Sequence, residues 1–345
     1  MSDRSRVVVA DYIRDELSPE RGVLEGEAIV EALDAADERE FVAGAQDAVA
    51  VMLWHVVRLT REGLSELPAC RLIVRMGVGV DNVDIAAAED LGIGVANVPD
   101  YGTEDVADSA IGLMLALARG IALLNSRLRA GLDPWSHVPA APLHRLRGRT
   151  LALAGMSRIG TATALRARAL GMDVVFFDPF VPAGYEKAIG VRRVESLEAL
   201  LAEAHVLSLH CPLNEHTRHM IDAAAIARMP RGALLINTAR GGLIDTAALP
   251  EAIRSGQLAG AGLDVLPVEP PPDDDPLIRA WRDPEHPAHY CVIINPHASF
   301  YCEQSIHELR TKAAETCRRA LHGLPISTLV NHPKPRPQAQ NKVRS

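Results

Sequence analysis

Arg240, Glu269 and His297 stand in the segments NTARGG, VEPP and NPHAS, and each follows a short apolar run: LLIN, GLDV and VIIN respectively. If those runs are strands of a parallel sheet, all three side chains emerge just past carboxyl ends, where open α/β sheets bind ligands. A lone arginine is ordinarily solvated or ion-paired, a glutamate before prolines is ordinarily part of a loop, and a histidine near a strand end is ambiguous. Their shared position is what joins them. Together they offer a bidentate cation for a carboxylate, a proton donor suited to neutral pH for a carbonyl oxygen, and a carboxylate to orient that donor. Interconverting a 2-keto and a 2-hydroxy acid needs these three groups. Serine nucleophile chemistry is not indicated, because no G-x-S-x-G elbow occurs, and no H-E-x-x-H is present. His210, His216 and His219 lack the i, i+4 spacing of a helical zinc site and sit across a proline.

Gly155-Met156-Ser157-Arg158-Ile159-Gly160 follows the strand-like LALA, opens a helical run, and precedes a second strand that ends at Asp178. In this context a G-x-G-x-x-G loop presents backbone N–H groups to a pyrophosphate, and an acidic residue about 20 positions on takes the ribose hydroxyls. Ser157 replaces the middle glycine, where backbone normally approaches phosphate closely, so the match is weakened unless the hydroxyl itself donates. Asp178 favours NAD over NADP, since a carboxylate repels the extra phosphate; its alternative use is to cap the turn at Pro179.

The elements that must position these residues read as alternating strands and helices. Apolar runs occur near residues 7, 48, 71, 151, 173, 206, 234, 260 and 291. Several are continuous rather than alternating, as strands buried on both faces of a parallel sheet should be. Between them lie TATALRARALG, SLEALLAEA and TAALPEAIRSG, the last two beginning with a possible N-cap, Ser196 or Thr246. A doubly wound α/β architecture follows. Residues 104–131 read as one long buried helix that crosses between domains or packs on a second subunit, and the proline- and glycine-rich 131–148 as a connection.

The chain has 345 residues, 48% of them hydrophobic, which suggests about two folded units. No 18-residue stretch is free of charge, so no membrane span is expected. Net charge is −8, which disfavours broad attraction to nucleic acid or anionic lipid. The basic end, with Lys334, Arg336, Lys342 and Arg344, reads as a solvated tail over 333–345. Five cysteines without a C-x-x-C pair indicate neither a disulfide framework nor a thiolate metal site. The first apolar run is too brief for a secretory segment, and the cytoplasm is the expected location.

With these residues assembled, the sequence resembles the D-isomer-specific 2-hydroxyacid dehydrogenases up to about residue 332. HCPLNEHTRHMID, RGALLINTARGGLID and GLDVLPVEP most resemble the branch of C-terminal binding protein corepressors and phosphoglycerate dehydrogenase-like enzymes. The resemblance implies two doubly wound parallel-sheet domains: a Rossmann cofactor domain, 99–300, and a flavodoxin-like substrate domain split between 1–98 and 301–332. It implies hydride transfer between NAD and C2 of a small acid, with Arg240 on the substrate, His297 as acid/base and Glu269 as its partner. The cofactor would meet Gly155, Ser157, Arg158, Ile159, Gly160, Asp178, Cys211, Pro212, Thr217, Thr238 and Ala239, with Asp264 accepting from the nicotinamide carboxamide. Arg75 and the backbone of Val78 and Gly79 would meet the substrate carboxylate. A homodimer built partly by the long helix is implied, with no metal. Two departures stand out: Phe300 replaces a bulky tryptophan after the histidine, and residues 270–290 are long for a strand connection and read as a surface insertion rather than a cover. The other readings are an NADH-sensing binding protein like the corepressors and, less favoured, oxidation of phosphite or formate. Glu269 argues against formate, whose enzymes are expected to carry a neutral amide there.

Overall fold

The computed structural model describes residues 4–335. The chain divides into two units: residues up to Tyr101 together with those from Cys302 on, and Gly102–Tyr301.

The first unit carries β1 (Ser5–Val9), β2 (Ala28–Ala32), β3 (Ala50–Leu53), β4 (Leu72–Arg75) and β5 (Gly94–Asn97). They form an all-parallel sheet in the order β2-β1-β3-β4-β5. Every residue of β3 and β4 is buried, which is why these strands read as unbroken apolar runs. The edge strand β2 buries only Val30 and escapes a search for such runs; β5, the other edge, is four residues long. The C-terminal helix Glu303–Leu321 packs on Ser18–Leu24, and buried Arg310 binds Glu20 (2.6 and 2.8 Å) and Asp15 (2.6 and 2.7 Å) across almost the whole sequence.

The second unit carries β6 (Thr150–Ala154), β7 (Asp173–Phe177), β8 (Arg192–Arg193), β9 (Val206–Leu209), β10 (Ala233–Asn237), β11 (Leu258–Leu263) and β12 (Val292–Ile294). They form a parallel sheet in the order β12-β11-β10-β9-β6-β7-β8. Residues 104–131 are two helices rather than one, Thr103–Ala118 and Ile121–Ala130, bent by 60° at a break. Gly120 takes φ 62° there, and a Cβ on it would lie 2.9 Å from that of Ala140, so the chain turns under close packing. Thr103–Ala118 packs into the core, but Ile121–Ala130 buries no residue, which corrects the expectation of a continuously buried helix. Ser196 caps its helix through the N–H of Ala199 as expected. Thr246 does not cap: Asp245 accepts from Ala247 and starts a short 3₁₀ turn before Leu249–Arg254.

The expected tail is also shorter at its start. Lys334 donates its backbone N–H to Glu89 and its ammonium to Asp90, 2.6 Å away; Arg336, Lys342 and Arg344 lie outside the described residues. Among the described residues no single helix is long and apolar enough to cross a membrane.

Candidate active site

In the Gly102–Tyr301 unit, three loops leave the carboxyl ends of β10, β11 and β12. Asn237, wholly buried at the end of β10, donates its side-chain amide to the carbonyl of Arg240 (2.8 Å) and accepts from Ala239 N–H (3.0 Å), which fixes the arginine loop. Gly241 follows because nothing larger fits: a Cβ there would fall 1.9 Å from the carbonyl carbon of Leu266, in the loop that carries Glu269. The arginine and glutamate loops therefore touch backbone to backbone. Glu269 accepts from Leu266 N–H through Oε1 and from the imidazole N–H at His297 Nδ1 through Oε2, both at 2.8 Å. Burial pushes the Glu269 carboxyl up, but the His297 hydrogen bond and charge, the Leu266 N–H and the charge of Arg240 outweigh it and hold the group below the usual glutamate range.

His297 adopts φ 52°, a left-handed conformation that costs an ordinary residue energy and that clusters at functional sites. Asp264, buried at the end of β11, holds it there. Its backbone carbonyl accepts from His297 N–H (2.7 Å), and its two carboxylate oxygens accept from Ala298 N–H (3.0 Å) and Ser299 N–H (3.0 and 3.1 Å). Glu269 thus engages the Nδ1 side of the His297 ring.

The glycine loop follows β6. Gly155 takes φ 97°, and a Cβ on it would sit 2.7 Å from the backbone of His210; a Cβ on Gly160 would sit 2.4 Å from the carbonyl of Gly155. These two positions require glycine. Ser157 does not: its φ is −77°, it is exposed, and its hydroxyl makes no cap hydrogen bond although it stands at the N-cap of Arg158–Ala169. The serine that weakens the sequence match is thus conformationally ordinary. Asp178 accepts from Met156 N–H (2.8 Å) and Phe180 N–H (2.9 Å), so it both ties down the glycine loop and caps its own turn. Thr217 donates to the carbonyl of Pro212 at 2.7 Å. Burial pushes the Cys211 thiol up to about 12, so it stays protonated. Thr238 is buried with its hydroxyl lacking a hydrogen-bond partner among the described residues. An orphaned hydroxyl at Thr238 and a capless serine at the N-terminus of Arg158–Ala169 suit a dinucleotide.

In the other unit, Arg75 ends β4 and donates to Met76 carbonyl (2.7 Å); Gly77 leaves it room, since a Cβ there would lie 1.7 Å from the guanidinium. Val78 is exposed, and its carbonyl accepts from Asn97 at 2.7 Å. Asn237, Asp11, Trp54 and His55 hold or flank these groups and were not singled out from the sequence; the signal available was that each follows an apolar strand, as Arg240 does.

A doubly wound α/β protein with a dinucleotide-type glycine loop and a carboxylate–imidazole pair beside an arginine is the class these features define. The chain belongs to the D-isomer specific 2-hydroxyacid dehydrogenase family: residues 111–299 match that family's NAD-binding domain. It is 33% identical over 327 residues to C-terminal-binding protein 1 of Caenorhabditis elegans, covering 92% of this chain and 44% of that protein. It is 34% identical over 328 residues to D-3-phosphoglycerate dehydrogenase of Methanocaldococcus jannaschii, covering 95% of this chain and 60% of that protein. The chain thus spans less than two thirds of either relative. The crystal structure of D-lactate dehydrogenase from Aquifex aeolicus, complexed with NAD and lactic acid, superposes with a TM-score of 0.80 at 27% identity, covering 92% of this chain and 96% of that one.

Proposed function

We propose that this chain is an NAD-dependent dehydrogenase that moves a hydride between the nicotinamide and C2 of a small D-2-hydroxy or 2-keto acid. The observation that carries this reading is the 2.8 Å pair of His297 Nδ1 and Glu269, with the charge of Arg240 acting on the same carboxylate. When bound, the nicotinamide supplies or accepts the hydride. Arg240 holds the substrate carboxylate and carbonyl, and His297 Nε2 gives its proton to the C2 oxygen during reduction and takes it back during oxidation. Glu269 orients the ring through Nδ1. Arg75 and the backbone of Val78 and Gly79 contribute to the carboxylate. Around the cofactor, Gly155, Ser157, Arg158, Ile159 and Gly160 meet the pyrophosphate and Asp178 the ribose, while Cys211, Pro212, Thr217, Thr238 and Ala239 line the remainder. Asp264 has lone pairs beyond those used by Ala298 and Ser299, and takes the carboxamide with them. NADH oxidation against a panel of 2-keto acids tests the reading; tight NADH binding without turnover of any of them overturns it.

A second reading is favoured by the identity to C-terminal-binding protein 1: a binding protein whose partner recruitment depends on NADH. Pull-downs with and without NADH, beside the turnover assay, separate the two. The location is proposed to be the cytoplasm, and the assembly a homodimer. Supporting the dimer, Ile121–Ala130 buries nothing and is followed by Leu132, Trp135 and Val138, exposed by 69%, 78% and 65%. A monomeric mass in solution would reject it.

A further inference from the structure

A cavity of about 500 Å³ lies within the Gly102–Tyr301 unit, at the amino ends of β6, β9, β10 and β11. The glycine turn and the loops of Arg240, Glu269 and His297 leave the opposite, carboxyl edge of the same sheet, so roughly 15 Å of strand separates the cavity from the candidate active site. Its size is that of sites for small organic molecules. The wall is mostly apolar, with Leu123, Leu143 and Ile253 among its side chains. The charged groups on it are basic: Arg149, just before β6, and Arg231, shortly before β10, with the imidazole of His205 at the start of β9. Among the described residues no carboxylate lines it, in a chain whose net charge is −8.

Arg149 is half-buried, and among the described residues its guanidinium has neither an ion-pair nor a hydrogen-bond partner. A cation in that position has lost part of its hydration and gained no counter-charge, a poor arrangement for stability and a serviceable one for an anionic ligand. Burial, and after it the charge of Arg149, pushes His205 down, so its ring is neutral at pH 7. Its Nδ1 accepts from Thr150 N–H at 3.3 Å, which leaves the ring proton on Nε2 as a donor. Arg231 donates to the Ser255 carbonyl and has further N–H groups, since a guanidinium carries five.

We propose that this cavity is a second ligand site, separate from the cofactor and substrate residues, and that it takes a small amphiphilic anion: one carboxylate, met by Arg149, on an extended apolar body such as a medium-chain fatty acid. The apolar wall removes the body from water, and the unpaired guanidinium supplies the charge for the head. A ligand polar along its whole length would leave its other groups unsatisfied against leucine and isoleucine. The inference stands apart from the dehydrogenase reading and goes beyond it.

The test is isothermal titration calorimetry of octanoate, 1-octanol and acetate into the chain saturated with NADH, with light scattering to give the mass at each concentration. Octanoate should bind once per chain and about tenfold or more tighter than 1-octanol, and acetate should not bind measurably. Arg149→Met should weaken octanoate about tenfold or more while 1-octanol moves less than about threefold, and Arg149→Lys should keep most of the octanoate affinity. Because Arg149→Met strands no partner, its melting temperature should not fall. Octanoate and 1-octanol binding equally, or octanoate binding unchanged in Arg149→Met, overturns the inference. So does octanoate binding that is lost in Arg240→Ala rather than in Arg149→Met, which would place the ligand in the active site. Octanoate binding only at dilutions where the mass is that of a monomer would mean that a second copy of the chain fills the cavity, and overturns it too.

Discussion

A glutamate that accepts from an imidazole N–H fixes which ring nitrogen faces outward, and Glu269 sets its negative charge beside that ring. Glu269→Gln keeps the shape and removes the charge, so kcat for keto-acid reduction should fall roughly 10²-fold, with NADH affinity unchanged. A fall under about threefold would mean that the pair is structural. The sign of the pH effect follows from Glu269 being held below the usual glutamate range. A depressed carboxyl supports the pair fully above its ordinary value and loses it only as pH falls through the lower, folded one. The native acid limb due to this group should therefore lie below the ordinary glutamate value of about 4.3. Arg240, Glu269 and His297 were legible in the sequence because each is a charged or titratable residue just after an apolar run. The work of Asn237 and Asp264 was not, since it lies in hydrogen bonds to backbone up to 35 residues away that no local pattern encodes.

Among the elements, the turn between β6 and the helix Arg158–Ala169 separates two kinds of position. Gly160→Ala puts a methyl 2.4 Å from the Gly155 carbonyl, so the loop must shift, and NADH affinity should drop by about tenfold or more. Ser157→Ala removes a hydroxyl that caps nothing, so it should leave stability unchanged and weaken NADH binding by about 1 kcal/mol if the hydroxyl meets phosphate. No change in titrated affinity would remove Ser157 from the cofactor site. Beneath this turn, burial pushes His210 down to about 4, with Ser208 Oγ 2.9 Å from Nε2. The unfolded chain binds that proton below about 6.5 and the folded one does not, so stability is lost as pH falls from about 6.5 towards about 4, by roughly 3 kcal/mol in all. His205, likewise depressed by burial and by Arg149, acts in the same direction. His210→Asn should flatten the dependence of melting temperature on pH in this window; an unchanged slope would show that His210 is not its source. The strands behind these sites were visible where both faces are covered. β2, β5 and β8 were not, because they are edges with short or half-polar sequences, and the break at Gly120 was hidden by apolar residues continuing on both sides of it.

For the molecule as a whole, the question is how residues from both ends of the chain become one unit around β1–β5. Packing of Glu303–Leu321 on Ser18–Leu24 supplies apolar area, but the specific fastening is Arg310, whose guanidinium reaches fully buried Glu20 and half-exposed Asp15. Burial acts to lower the arginine, and its hydrogen bonds and attraction to the two carboxylates outweigh this and raise it, so it stays charged at every pH where the protein folds. Removing one partner of a buried pair leaves an uncompensated charge, at a cost of about 3–5 kcal/mol. Arg310→Met should therefore destabilise the unit formed by the two chain ends by about that amount. The Gly102–Tyr301 unit has its own core and should be spared, so chemical unfolding followed by tryptophan fluorescence should separate into two transitions, the earlier one reporting Trp54. Adding Glu20→Leu removes the stranded carboxylate as well and should recover most of the loss, because an apolar pair of similar volume often serves as well as a buried ion pair. If the single variant unfolds as the native chain does, the ends are held by apolar packing alone; if both units melt together, their stabilities are coupled.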